Sequence, residues 1–94
     1  NVKDLTDETH IEREMLLLKV KSTLKQRDEL KRLTDIFRAR IIDVTDITYT
    51  IELTGPTEKI LAFIESLGKI KIIEQVRSGS LGISRGSESL EIKK

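Results

Sequence analysis

Ile36-Phe37-Arg38-Ala39-Arg40-Ile41-Ile42-Asp43-Val44-Thr45-Asp46 is the stretch that decides how this 94-residue chain folds. On its upstream side, Leu30, Leu33 and Phe37 recur at helical spacing from about Gln26 to Arg38, with Ile36 widening the apolar stripe. Asp28, Glu29, Lys31 and Arg32 lie mostly on the wet side. On its downstream side, Ala39 to Thr45 reads as a strand, with no turn dipeptide between helix and strand. Tyr49, Ile51 and Leu53 then alternate strictly with Thr48, Thr50, Glu52 and Thr54, the pattern of a half-buried strand. Thr45-Asp46-Ile47 is short enough for a hairpin, so these two strands are expected to pair antiparallel.

Working outward, Glu12 to Ser22 reads as another strand. Glu14, Leu16, Leu18 and Val20 share one face, and Met15, Leu17, Lys19 and Lys21 share the other. Gly55-Pro56-Thr57-Glu58 predicts a helix start, with proline at the first helical position and Glu58 in the positive first turn. Ile60, Leu61, Phe63, Ile64 and Leu67 form its stripe, and Gly68 is its expected stop. Lys69 to Arg77 is predicted as a fourth strand, with Ile70, Ile72 and Val76 on one face and Ile73 on the other. The order is therefore βαββαβ. Two right-handed crossovers place both helices on one face of a four-stranded antiparallel sheet, an α+β, ferredoxin-like sandwich. Residues 1–10, polar and without a period, read as a linker, 11–79 as the domain, and 80–94, rich in serine and glycine, as a flexible tail.

The bulk numbers bound the possibilities. Ninety-four residues support one domain with a modest core. Aromatics are only 3% of the chain, so that core must be built from Ile, Leu and Val. Seventeen basic and sixteen acidic residues leave a formal charge of +1, which argues against a strong draw to nucleic acid or anionic lipid. With no cysteine, disulfide and thiolate chemistry are excluded, which fits a cytoplasmic protein. The longest apolar run, Met15 to Leu18, is far short of a membrane span, and no signal-peptide segment is present. Asn1 rather than methionine opens the chain, which reads as part of a longer protein.

Chemistry is sparse. His10 is the sole histidine, and Glu12 and Glu14 beside it do not make a ligand pattern or an acid–base pair with a nucleophile. No catalytic, cofactor-binding or metal-binding residue is therefore expected. The segment from Arg77 to Gly86 is the best place for an anion, because its glycines expose backbone N–H groups and its arginines add charge. Arg77, Ser78, Gly79 and Arg85 are the candidates, although the spacing fits neither a P-loop nor a dinucleotide fingerprint. A flexible exit from the last strand accounts for the same residues. An RNA module of this fold needs aromatics on its open sheet face, whereas Tyr49 is expected to point toward the helices and Phe37 and Phe63 lie on them. The open face instead carries Met15, Leu17 and Ile73 among Lys and Thr. That half-apolar surface is the candidate interface with another copy or another domain.

Several segments carry a family resemblance. They are Val2-Lys3-Asp4-Leu5-Thr6, His10-Ile11-Glu12-Arg13-Glu14, Ile36 to Val44, Lys59 to Ile64, and Glu74-Gln75-Val76-Arg77-Ser78-Gly79 running on to Ser84-Arg85-Gly86. Together, and in this order over nearly the whole chain, they resemble the C-terminal domain of the small, regulatory subunit of acetolactate synthase (acetohydroxyacid synthase). Val76 stands where that family usually has alanine, and Gly68-Lys69 lacks its common proline-tyrosine turn. The resemblance implies a non-catalytic subunit, itself a homodimer or higher oligomer, that activates a large catalytic subunit using thiamine diphosphate, magnesium and FAD. It also implies a part in feedback control of branched-chain amino acid synthesis, commonly by valine. In that family the effector binds between paired N-terminal ACT domains, so residues 1–10 would be the end of a missing ACT domain and no residue here would be an effector ligand. The rival expectation is a freestanding ferredoxin-like small-molecule-binding or oligomerisation module of another regulator.

Overall fold

The computed structural model describes residues 10–87. β1 (His10–Lys21) is followed by α1 (Leu24–Phe37), β2 (Arg40–Val44), β3 (Thr48–Gly55), α2 (Thr57–Ser66), β4 (Ile72–Arg77) and β5 (Leu81–Ser84). The main sheet has the order β2-β3-β1-β4, every neighbouring pair antiparallel, which is the ferredoxin-like arrangement with both helices on one face. β1 extends past this sheet: its first four residues pair with β5, placing His10 opposite Ser84 and Arg13 opposite Leu81. The expectation of a flexible tail from residue 80 is therefore corrected, because Leu81–Ser84 is a strand in register with β1. Sequence alone hid it because Leu81 and Ile83 alternate over only four residues between glycines. Residues 1–9, expected to be a linker or the end of a preceding domain, and 88–94, the rest of the expected tail, lie outside the described residues.

The junction at residues 36–46 works through one residue. Arg38 closes α1 in the left-handed conformation (φ 59°), and the Ala39 N–H reaches back to the Thr34 carbonyl at 2.8 Å. That geometry reverses the chain in two residues and usually falls to glycine. At the other end of the helix, the Gln26 side chain accepts the Thr23 N–H at 3.3 Å, using a donor that no helical carbonyl satisfies. Helix α2 starts one residue later than expected. Pro56 is its cap rather than its first residue, and the Pro56 carbonyl accepts the N–H groups of Lys59 and Ile60. Gly68 turns the chain in the left-handed region just beyond the helix end.

Leu16, Leu18 and Val20 of β1 and Tyr49, Ile51 and Leu53 of β3 are buried beneath Leu30 and Leu33 of α1 and Ile60 and Phe63 of α2. Tyr49 points to the helix side, where its ring lies 5.0 Å from the Arg27 guanidinium. Arg27 also donates to the carbonyls of Thr45 and Asp46 at 2.8 and 2.7 Å, tying α1 to the β2–β3 turn. Phe37 and Phe63 meet edge to face at 5.2 Å, joining the two helices.

β4 carries an irregularity in its pairing with β1. Lys19 is opposite Glu74 and Val20 is opposite Ile72, so Ile73 is an extra residue without a counterpart on β1. A bulge of this kind inverts the alternation beyond it. Val76 is thereby paired with Leu17 on the open face, not placed with Ile72 on the helix side as simple alternation predicts. Ile42 is the corresponding extra residue of β2.

Two stability measurements test this packing. Phe63→Ala should cost about 3–5 kcal/mol in urea unfolding, the range for emptying a fully buried aromatic site. Arg38→Val should lose about 1–2 kcal/mol, because a β-branched side chain is poorly accommodated at positive φ, while Arg38→Gly should fold at least as stably as the parent.

Candidate functional site

Two features lie outside the core. The first is a buried carboxylate. Glu14 follows the alternation of Leu16, Leu18 and Val20 and is only 4% exposed. Its Oε2 accepts Arg77 Nε at 2.7 Å and its Oε1 accepts Arg77 Nη2 at 2.8 Å, a two-pronged pair across β1 and β4. The Thr57 hydroxyl, at the first residue of α2, donates to the same carboxylate at 3.3 Å, which places the negative charge at the positive end of that helix. Thr57 Oγ1 in turn lies 3.1 Å from Ser80 Oγ. Hydrogen bonds from Arg77 hold the Glu14 carboxyl below the ordinary carboxylate value; burial opposes them, and the Arg77 charge, Thr57 and the Gly79 N–H reinforce them.

The sequence-predicted anion site resolves into this cluster. Arg77 and the Gly79 N–H are engaged by the chain's own Glu14 carboxylate. Ser78 accepts the Met15 N–H at 2.9 Å and donates its own N–H to the Met15 carbonyl at 3.0 Å, pinning the β4–β5 turn to β1. Arg85 is not brought to the others. It follows Ser84, which pairs with His10, whereas Arg77 pairs with Leu16, a separation of roughly 20 Å along the strand. Glu14 is the residue the sequence reading passed over. The signal was available, since a carboxylate in phase with three buried aliphatic residues must find a cationic partner.

The second feature is the open sheet face. Met15, Leu17 and Val76 stand side by side there, 40%, 37% and 53% exposed. Leu17 and Val76 line a shallow groove of about 190 Å³ with Lys19, Thr50 and Glu74. Lys19 and Glu74 form an ion pair at 3.0 Å on this face, and Arg40 lies opposite Glu52. Of the expected interface residues, Met15 and Leu17 are adjacent on this face, while Ile73 is half exposed at the bulge and Val76 takes its place beside Leu17. Among the described residues, no group of three or more histidine, cysteine or acidic side chains is arranged to hold a metal ion. None of the described helices is long and apolar enough to cross a membrane.

The chain is thus a ferredoxin-like sandwich with one half-apolar open face and a buried Glu14 carboxylate paired to Arg77. Comparison with known proteins gives the family. The profile described as "Small subunit of acetolactate synthase" matches residues 13–86. The acetolactate synthase small subunit of Haemophilus influenzae is 47% identical over 90 residues, covering 95% of this chain and 55% of that protein. The isozyme 3 small subunit of Escherichia coli is 46% identical over 88 residues, covering 93% and 54%. The crystal structure of the small subunit from Thermotoga maritima superposes with a TM-score of 0.83 at 36% identity, covering 90% of this chain and 52% of that one. This chain belongs to the family of acetolactate synthase small subunits, and it spans about half the length of these bacterial relatives. A chloroplastic small subunit from Arabidopsis thaliana is 40% identical over 84 residues, covering 89% of this chain and 18% of that protein.

The Glu14 cluster predicts an acid response. Because the carboxyl titrates lower in the folded chain than in the unfolded one, its contribution to stability is complete above the ordinary carboxylate range. That contribution is lost as pH falls through the depressed folded value. Glu14→Gln should therefore be clearly less stable than the parent in urea at pH 7, and the gap should narrow by pH 3. A gap that does not change with pH would mean that the charge is not what holds the cluster.

Proposed function

We propose that this chain is the C-terminal domain of a regulatory subunit that activates a separate catalytic subunit of acetolactate synthase and takes part in feedback control of branched-chain amino acid synthesis. The observation that carries the reading is the profile match over residues 13–86, supported by relatives named as small subunits at close to half identity. In this reading the catalytic subunit supplies thiamine diphosphate, magnesium and FAD, and this chain contributes no group to the reaction. The amino-acid effector, commonly valine in the family, binds an ACT domain in the part of the protein that precedes this one. Met15 and Leu17 on the open face, with Ile73 at its margin, serve association. Effector binding is then read as a change in which assembly is favoured, through contacts that differ between the states. The cytoplasm, or the organelle in a eukaryote, is the proposed compartment.

Acetolactate formation by the catalytic subunit tests this. It should be measured alone, with this chain, and with a full-length small subunit that carries the chain, each with and without valine. The full-length subunit should raise the rate and valine should lower it again, whereas any activation by this chain alone should be insensitive to valine. A full-length subunit that leaves the catalytic rate unchanged would overturn the assignment of function.

A further inference from the structure

β5 and His10–Arg13 of β1 form a two-stranded arm beyond the main sheet. Among the described residues β5 pairs with nothing else, and Leu81, Gly82 and Ile83 are exposed. β3 ends opposite Glu14, so the other edge of His10–Arg13 has no strand partner among the described residues. A two-stranded ribbon that buries so little is marginal in water by itself. What holds the arm is gathered at its root. Ser78 bonds to the Met15 backbone through both its N–H and its hydroxyl, and Gly79 then turns the chain into β5 at φ 80° with open space around it. Beyond that pivot, the tethers converge on one group. The Gly79 N–H and the Thr57 hydroxyl reach the Glu14 carboxylate, and Ser80 Oγ lies 3.1 Å from Thr57 Oγ1. Arg77, at the end of β4, grips the same carboxylate with two prongs.

We propose that β5 is a strap held by a single catch, the Glu14 carboxylate. When the catch is released, β5 pivots at Gly79 away from β1 and both backbone edges of His10–Arg13 are opened, while the sandwich stays folded. Two layers of stability are joined in one strand. Leu16, Leu18 and Val20 are completely buried, so β1 opens there only when the core comes apart. His10–Arg13 lacks that burial, and its opening costs the four-residue ladder and the hydrogen bonds at the root. The ionised carboxylate is the centre of those bonds, because it accepts from Arg77, Thr57 and Gly79 together. A neutral amide of the same shape has one acceptor oxygen and cannot receive both arginine prongs. The groups around Glu14 come from every neighbouring element. Arg77 faces it from β4 and Thr57 from α2, Lys59 lies across Gly55 (its partner on β3), and His10 and Glu12 share its side of β1. A segment that is ordered by one ionic contact and freed by its loss is a common basis of conformational switches.

Amide hydrogen exchange between pH 7 and pH 3 tests this, expressed as protection factors so that the intrinsic pH dependence of exchange drops out. In the parent at pH 7, β5 amides should be protected, but about tenfold or more below those of Leu16 to Val20. Because Glu14 titrates low in the closed state, β5 protection should be full above the ordinary carboxylate range and fall as pH drops through the depressed value. Glu14→Gln should remove about tenfold or more of that protection at pH 7 and abolish its pH dependence, with Leu16 to Val20 still protected. Ile51→Val, which thins the core away from the root, should lower protection of Leu16 to Val20 and leave β5 as in the parent. Equal protection of β5 and the core strand in the parent would overturn the proposal, since the strap would then open only with the whole fold. So would unchanged β5 protection in Glu14→Gln, or a pH dependence that survives in that variant and so belongs to His10 or Glu12.

Discussion

The structure depends on β1 being a single uninterrupted strand that serves two sheets. Its C-terminal two-thirds lies between β3 and β4 at the centre of the sandwich, and its N-terminal third carries β5 alone. Period-2 alternation runs through all twelve residues without a break, so whatever fixes the inward face near Val20 also fixes which side chains face outward at Ile11. The core is thus what aims the arm. Leu16, Leu18 and Val20, completely buried, set a phase that Ile11, Met15 and Leu17 must follow.

Glu14 sits where these two regimes meet. It is the last inward residue before the arm begins, and its partners come from β4, from the start of α2 and from the β4–β5 turn. An aliphatic residue there would extend the core by one layer and leave the turn without its anchor. The carboxylate instead gathers donors from three elements that are distant in sequence. Ser78, hydrogen-bonded to the backbone of Met15, holds the same turn from its other side. Burial of the charge has an electrostatic cost, offset by the two-pronged arginine and by the helix end.

Most of this was legible from the residues alone. The six-element order, the inward faces of β1 and β3, the inward Tyr49 and the stop at Gly68 all follow from periodicity and local backbone preference, because each rests on patterns repeated over several residues. What escaped rests on single residues. Nothing in Lys69 to Arg77 announces that Ile73 is supernumerary, so strict alternation turned Val76 inward. The four residues of β5 carry too short a pattern to be told from a loop. The carboxylate that Arg77 meets lies 63 residues upstream in the sequence, beyond any local pattern. The family resemblance added what periodicity could not, and the profile match from residue 13 to 86 runs through the arm strand as well as the sandwich.

The bulge in β4 binds the length of that strand to the identity of a residue elsewhere. With Ile73 as the extra residue, Arg77 falls opposite Leu16 on the inward side and reaches Glu14. Remove one residue from β4 and the phase beyond it inverts: Val76 turns in, Arg77 turns out, and Glu14 loses its two-pronged cationic partner. No covalent or local feature links the two positions, yet an insertion or deletion in β4 is felt as a charge defect in β1.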